Sequence, residues 1–173
     1  ERIVLDGREV LNFASNNYLG LADHPALRRA ARDAIDRVGL GAGASRLVTG
    51  TMSLHLELER RIAEFESAPA AILFNSGYCA NVGAVSALVG RGAAVLGDRL
   101  NHASLVDGCR LSGAAFSRYR HTDLEDLERR LKAAAGSRRR LVVTDTVFSV
   151  DGDVAPLAEI ADLCRAHDAL LMV

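Results

Sequence analysis

The chain has 173 residues, 49% of them apolar, and sets 21 lysines and arginines against 22 aspartates and glutamates. This size and composition suit one folded body with a sizeable core and exclude a disordered chain. The balanced charge gives no basic surface for gripping a nucleic-acid backbone or an anionic membrane.

No stretch approaches the roughly 20 apolar residues that cross a bilayer, and the opening ERIVLDGREV is no signal peptide, so a cytoplasmic location is expected. The three cysteines, Cys79, Cys109 and Cys164, have no C-x-x-C spacing and read as small buried side chains in a reducing compartment. Residues 3–13, IVLDGREVLNF, predict two short strands around a turn at Asp6-Gly7, a dipeptide that favours tight hairpins. Pro25 then suits the first turn of a helix, and Leu27, Ala30, Ala31, Ala34, Ile35 and Val38 keep helical spacing up to Gly39.

The following loop, GLGAGASRLVTG, approaches the G-x-G-x-x-G/A dinucleotide fingerprint. That motif should follow a strand, whereas here a helix precedes it, so a nicotinamide cofactor is disfavoured. Leu54, Leu58, Ile62 and Phe65 share one face of a second helix.

From Ala70 onward, short apolar runs at AAILF, AAVLG, AAFSRY, RLVVTDTV and ALLMV alternate with helical stretches that start near Gly77, Ala103, Asp123 and Pro156. This alternation predicts an α/β fold, a mostly parallel sheet with helices on both faces, preceded by a short N-terminal β-hairpin. Ligands in such folds collect at the carboxyl ends of the strands, so the residues after each apolar run are the candidate site.

After the first run, Asn75 or Ser76 can cap a helix whose opening amides, at Gly77 and Tyr78, can meet an anion. After the second stands His102, which either orders a helix start with Asn101 and Ser104 or meets a ligand with its ring. Position alone does not choose between these readings. After the fourth, Asp145 lies near the strand end, Ser149 lies where a hydroxyl can reach a bound ring, and Asp151-Gly152-Asp153 reads as a turn. Hard cations take about six oxygen ligands and no further acidic cluster accompanies that turn, so no metal site is expected.

Five segments, NFASNNYLGLADHP, GLGAGASRLVTGTMSLHLELE, FNSGYCANVGAVSAL, DRLNHASLVDGCRLS and TDTVFSVDGDVAPLAEIADLC, together resemble in order and spacing the α-oxoamine synthases. These are enzymes of fold type I dependent on pyridoxal 5′-phosphate (PLP), and the resemblance covers nearly the whole chain. It implies that Gly77 and Tyr78 lie by the cofactor phosphate, that His102 stacks on the pyridine ring, that Ser149 reaches the ring's phenolic oxygen, and that Asn16 lies near the substrate carboxylate. His102 is thereby also a catalytic and substrate-binding candidate.

The implied reaction joins an amino acid to an acyl thioester with loss of carbon dioxide. SRLVTGTMSLHLELE looks most like members that join alanine to a pimeloyl thioester for biotin synthesis, while relatives using glycine or serine share most motifs. A homodimer is implied as well.

That chemistry requires a Schiff-base lysine and a carboxylate at the pyridine nitrogen. The only lysine, Lys132, reads as a solvated residue on a polar helix face. The sequence is therefore expected to be the N-terminal piece of a longer enzyme and inert by itself, with residues 1–22 a hairpin and linker and residues 23–173 the first part of the large PLP-binding domain. A noncatalytic, lysine-lacking partner subunit is the competing expectation.

Overall fold

The computed structural model describes residues 2–173, and packing divides the chain into two units, one reaching to Leu58 and one from Glu59 to Val173.

In the first unit, β1 (Arg2–Leu5) and β2 (Arg8–Leu11) form the expected antiparallel hairpin, with Leu5 opposite Arg8. Asp6 and Gly7 turn the chain with φ of 50° and 76°, the left-handed pair that matches strand twist in a two-residue loop. Helix α1 (Pro25–Val38) starts at the proline, is capped by the ring of His24 accepting from the Ala26 amide, and stops at Gly39, where φ is 80°. Its amphipathic face is not buried; no residue of α1 is. Helix α2 (Ser53–Phe65) carries the second predicted helix and runs across the division.

The second unit runs α3 (Gly77–Leu88), β3 (Ala94–Asp98), α4 (Ala103–Leu111), β4 (Ala115–Tyr119), α5 (Leu124–Ala133), β5 (Arg140–Val143), α6 (Leu157–Ala166) and β6 (Leu170–Met172). The four strands are parallel, in the order β4-β3-β5-β6. Period-two alternation sorts their side chains onto two faces. On one face Leu96 and Val142 pack with Leu127 and Leu131 of α5 and with Ile160 and Cys164 of α6. On the other, Val95, Leu141 and Val143 pack with Val85 of α3 and Cys109 of α4. The central strand β3 is buried throughout, as expected of a parallel sheet covered on both sides.

Two expectations need correction. Ala70–Phe74 is not a strand of either sheet; its Leu73 amide donates to Glu59 of α2 at 2.8 Å, and Ile72 is exposed. An apolar run announces burial but does not supply the neighbour whose ladder makes it a strand. Of the cysteines, Cys109 and Cys164 are buried, and burial pushes both thiols up to about 11, but Cys79 lies exposed in the first turn of α3.

Strand order positions the site. From β3 the chain steps to β4 on one side, then crosses β3 and continues on the other through β5 and β6. The direction reverses between β3 and β5, and the crevice at the carboxyl ends of such a pair is where open α/β sheets bind ligands.

Candidate functional site

The residues following β3 and β5 are tied across that crevice. Asn101, 9% exposed, donates through Nδ2 to the Val143 carbonyl at 2.9 Å and accepts through Oδ1 from the Asp145 amide at 3.1 Å. Asp145 returns the contact, its Oδ2 accepting from the His102 amide at 2.7 Å. These three bonds fix where the chain leaves both strands, and so fix the start of α4.

His102 caps α4. Its Nδ1 accepts from the Ser104 amide at 3.2 Å and lies 2.7 Å from Ser104 Oγ. That oxygen in turn accepts from Asn81 Nδ2 of α3 at 2.8 Å, which leaves the hydroxyl proton to point at Nδ1. With Nδ1 held as an acceptor, the network assigns the proton of the neutral ring to Nε2. The residue is exposed, and Nε2 has no hydrogen-bond partner among the described residues. The ring is therefore a helix cap whose second nitrogen stays exposed, which realises the helix-start reading and leaves Nε2 open to solvent.

Helix α3 lies beside α4 and contributes the second element. Ser76 caps it by accepting from the Cys79 amide at 3.1 Å, which leaves the Gly77 and Tyr78 amides without an acceptor among the described residues. A Cβ placed on Gly77 would meet nothing within 4 Å, so open space lies against the backbone there. Tyr78 is half-exposed and donates its hydroxyl to Asp107 of α4 at 3.2 Å; that bond, with the carboxylate's charge, raises the phenol above its ordinary value. The two helices touch closely: a Cβ on Gly108 would lie 3.0 Å from the Asn81 carbonyl. Tyr78 and His102 are thus held by one set of contacts.

Ser149 makes no hydrogen bond to this cluster among the described residues. It lies exposed at the turn of a small hairpin closed by a bridge between Val147 and Val154, and its hydroxyl makes no hydrogen bond among the described residues. The hairpin is held by the Phe148 amide donating to the Asp153 carbonyl at 2.9 Å and the Gly152 amide donating to the Phe148 carbonyl at 2.7 Å. Gly152 has φ of 77°, so the expected turn is present. Asn16 belongs to the first unit, where it is exposed and its Oδ1 accepts from the Tyr18 hydroxyl at 3.4 Å. Lys132 pairs with Glu128 one turn earlier on α5 at 2.7 Å and is 62% exposed, an ordinary surface residue.

Sequence reading missed one group at this edge of the sheet. His121, the second residue after β4, places its ring between Asp98 at the end of β3 and Asp153 of the hairpin. The rule that flagged His102, a polar residue just past an apolar run, applies equally to RYRHTD.

The arrangement can do specific things. Two outward amides at a helix start, with open space before them, suit a phosphate group. A flat ring anchored at one nitrogen and exposing the other, at the switch point of a parallel sheet, suits a planar heterocycle. These features fit PLP. Among the described residues no group of three or more His, Cys, Asp or Glu side chains is arranged to hold a metal ion.

Comparison with known proteins follows the same lines. Residues 8–173 match the family described as aminotransferase class I and II. The chain is 60% identical over 172 residues to the 8-amino-7-oxononanoate synthase of Geobacter sulfurreducens and 57% identical over 172 residues to that of Methylococcus capsulatus. Each match covers 99% of this chain and 44% of the relative, so the chain spans less than half the length of these curated relatives. Among solved structures, a serine palmitoyltransferase from S. paucimobilis with a bound PLP-myriocin aldimine superposes with a TM-score of 0.94 at 35% identity, covering 98% of this chain and 44% of that one. An 8-amino-7-oxononanoate synthase from Francisella tularensis gives 0.73 at 28%, covering 89% and 42%.

Proposed function

Because the chain belongs to the aminotransferase class I and II family, we propose that it is part of a PLP-dependent acyltransferase of the 8-amino-7-oxononanoate synthase type. Such an enzyme condenses L-alanine with pimeloyl-CoA or a pimeloyl carrier-protein thioester, releases carbon dioxide and serves biotin synthesis. The observation that carries this reading is 60% identity over 99% of the chain.

Serine palmitoyltransferase overlays better in shape, with a TM-score of 0.94 against 0.73. Backbone shape is common to α-oxoamine synthases that use different amino acids and therefore weighs little on substrate choice. Identity samples the side chains that make the choice, and it favours the alanine-using members.

In this reading residues 1–22 are an N-terminal hairpin and linker, and residues 23–173 the first part of the cofactor domain. PLP supplies, when bound, an electron-withdrawing ring that stabilises negative charge at the amino acid's α-carbon. The chain's own groups bind and orient. The amides of Gly77 and Tyr78 hold the phosphate, and the rigid cap at Ser104 presents the His102 ring to the heterocycle. Nε2 of His102, exposed and unpartnered among the described residues, would hold or pass a proton at the substrate. Ser149 meets the ring's phenolic oxygen, and Asn16 the amino acid's carboxylate. Lys132, paired on α5, does not serve as the cofactor-anchoring lysine, which this reading assigns to the longer protein.

A homodimer also belongs to the reading. Its support is the exposed apolar side chains of Phe13, Leu19, Leu40 and Leu47, each more than 80% exposed.

The His102 assignment is tested by PLP titration of the full-length protein. A stacked ring contributes about 0.5–1.5 kcal/mol, so His102→Ala is expected to raise the Kd for PLP by roughly 2- to 13-fold, and His102→Phe to restore most of it. An unchanged Kd in the alanine variant contradicts the stacking role.

A further inference from the structure

We propose that His121 is a positioning residue that clamps the Val147–Val154 hairpin, and with it Ser149, against the carboxyl edge of the sheet. The clamp is built from three elements. Nδ1 of His121 lies 2.9 Å from Asp98 Oδ1 on β3, and Nε2 lies 2.7 Å from Asp153 Oδ2 on the far limb of the hairpin. The edge of the ring meets Phe148, on the near limb, with centroids 4.5 Å apart and planes at 89°.

The sheet side of the clamp is rigid. Asp98 is 1% exposed and also accepts from the Leu100 amide at 2.8 Å and the Thr122 amide at 2.9 Å. Thr122 has φ of 52°, a left-handed kink that turns the chain so that its amide and the preceding ring converge on one carboxylate. The hairpin side is closed by a bridge and a few backbone bonds. Phe148, 2% exposed, packs in the α5/α6 face of the core, and Asp153 adds the one charged contact. The other carboxylate oxygen of Asp153 is buried without a partner among the described residues, although the side chain as a whole is 41% exposed, and His121 is the ring that pairs with this carboxylate.

Both ring nitrogens face carboxylates, which accept but do not donate, so the full clamp needs both N–H groups and a protonated ring. Burial alone would push the imidazole down; the hydrogen bonds and charges of Asp98 and Asp153 outweigh it, and the net direction is up. Among the described residues these two are the charged groups paired with the ring; on the histidine's own segment, Arg120 pairs with Asp123 at 2.7 Å. A raised folded-state value means that the clamp is complete below the ordinary imidazole value of about 6.5 and is lost as pH climbs through the raised one.

That Ser149 meets a cofactor rests on the function proposed above, whereas the clamp itself does not. The test is amide hydrogen exchange on the full-length protein without PLP, read as protection factors at Phe148, Gly152 and Ala155. In His121→Gln, and in Asp153→Asn at the partly exposed end, these are expected to fall about tenfold or more, while Val95 and Val142 keep theirs. In the wild type the same three should lose protection as pH rises through the raised imidazole value, and in His121→Gln they should not respond. Unchanged protection at the hairpin in both variants overturns the clamp.

With PLP added, His121→Gln is expected to shift the visible absorbance and weaken binding as Ser149→Ala does, with little further change in the double variant. Additive changes overturn the link to Ser149. A wild type that binds no PLP at all removes the function proposed above, and the exchange data still decide the clamp.

Discussion

Asp98→Ala is expected to lower the stability of the full-length protein by roughly 2–6 kcal/mol, because two backbone amides lose their acceptor at about 1–3 kcal/mol each. The carboxylate is 1% exposed and gathers three donors: the Leu100 amide, the Thr122 amide and the His121 ring. Without it the first two donors lose their acceptor at the mouth of the sheet, and His121 keeps only Asp153. Asp98→Asn should cost less, because its remaining carbonyl oxygen still accepts. Chemical unfolding midpoints measured for the three proteins check this ranking. A loss below 1 kcal/mol in the alanine variant would mean that the turn after β4 holds without the carboxylate.

The second large effect is expected at Asn101. Asn101→Leu keeps the volume but removes the amide, leaving the Val143 carbonyl and the Asp145 amide without their partner. Each such buried group left unpaired costs about 1–3 kcal/mol, so the variant should lose roughly 2–6 kcal/mol. Asp145 would then be free to move away from the His102 amide, and the cap of α4 would shift with it. The variant is therefore expected to weaken PLP binding in the folded protein as well as to destabilise it. Titration below the unfolding transition separates the two effects, and a stability loss with unaltered PLP affinity would show that the Asn101 bracket does not position His102.

These two residues also mark where sequence reading stops. The strands β3 to β6 and the helices α3 to α6 were legible because period-two apolar runs alternate with helical stretches, and the helix starts at Gly77 and Ala103 fall where the pattern placed them. Ala70–Phe74 has the same local pattern yet is not a strand, because pairing depends on a neighbour that periodicity does not specify. Strand order was equally invisible. Only the pairing of β3 with both β4 and β5 puts the reversal of direction, and hence the crevice, between Asn101 and Asp145.

The site was legible residue by residue but not as a network. His102 was recognisable as either a cap or a ligand-facing ring, and the structure shows the cap at one nitrogen and leaves the other exposed. His121 passed unnoticed because its meaning comes from Asp153, 32 positions further on, and from a carboxylate that reads in sequence as the polar end of a strand.

We propose that this chain contributes cofactor-binding residues to a longer PLP enzyme that condenses alanine with an acyl thioester. The direct test incubates the purified full-length protein with PLP, L-alanine and pimeloyl-CoA, and follows visible cofactor absorbance together with 8-amino-7-oxononanoate and carbon dioxide formed in equal amounts. The account predicts a cofactor band in the resting enzyme and equimolar products that depend on alanine and fall when serine replaces it. No cofactor band and no amino-ketone with any amino acid would contradict it.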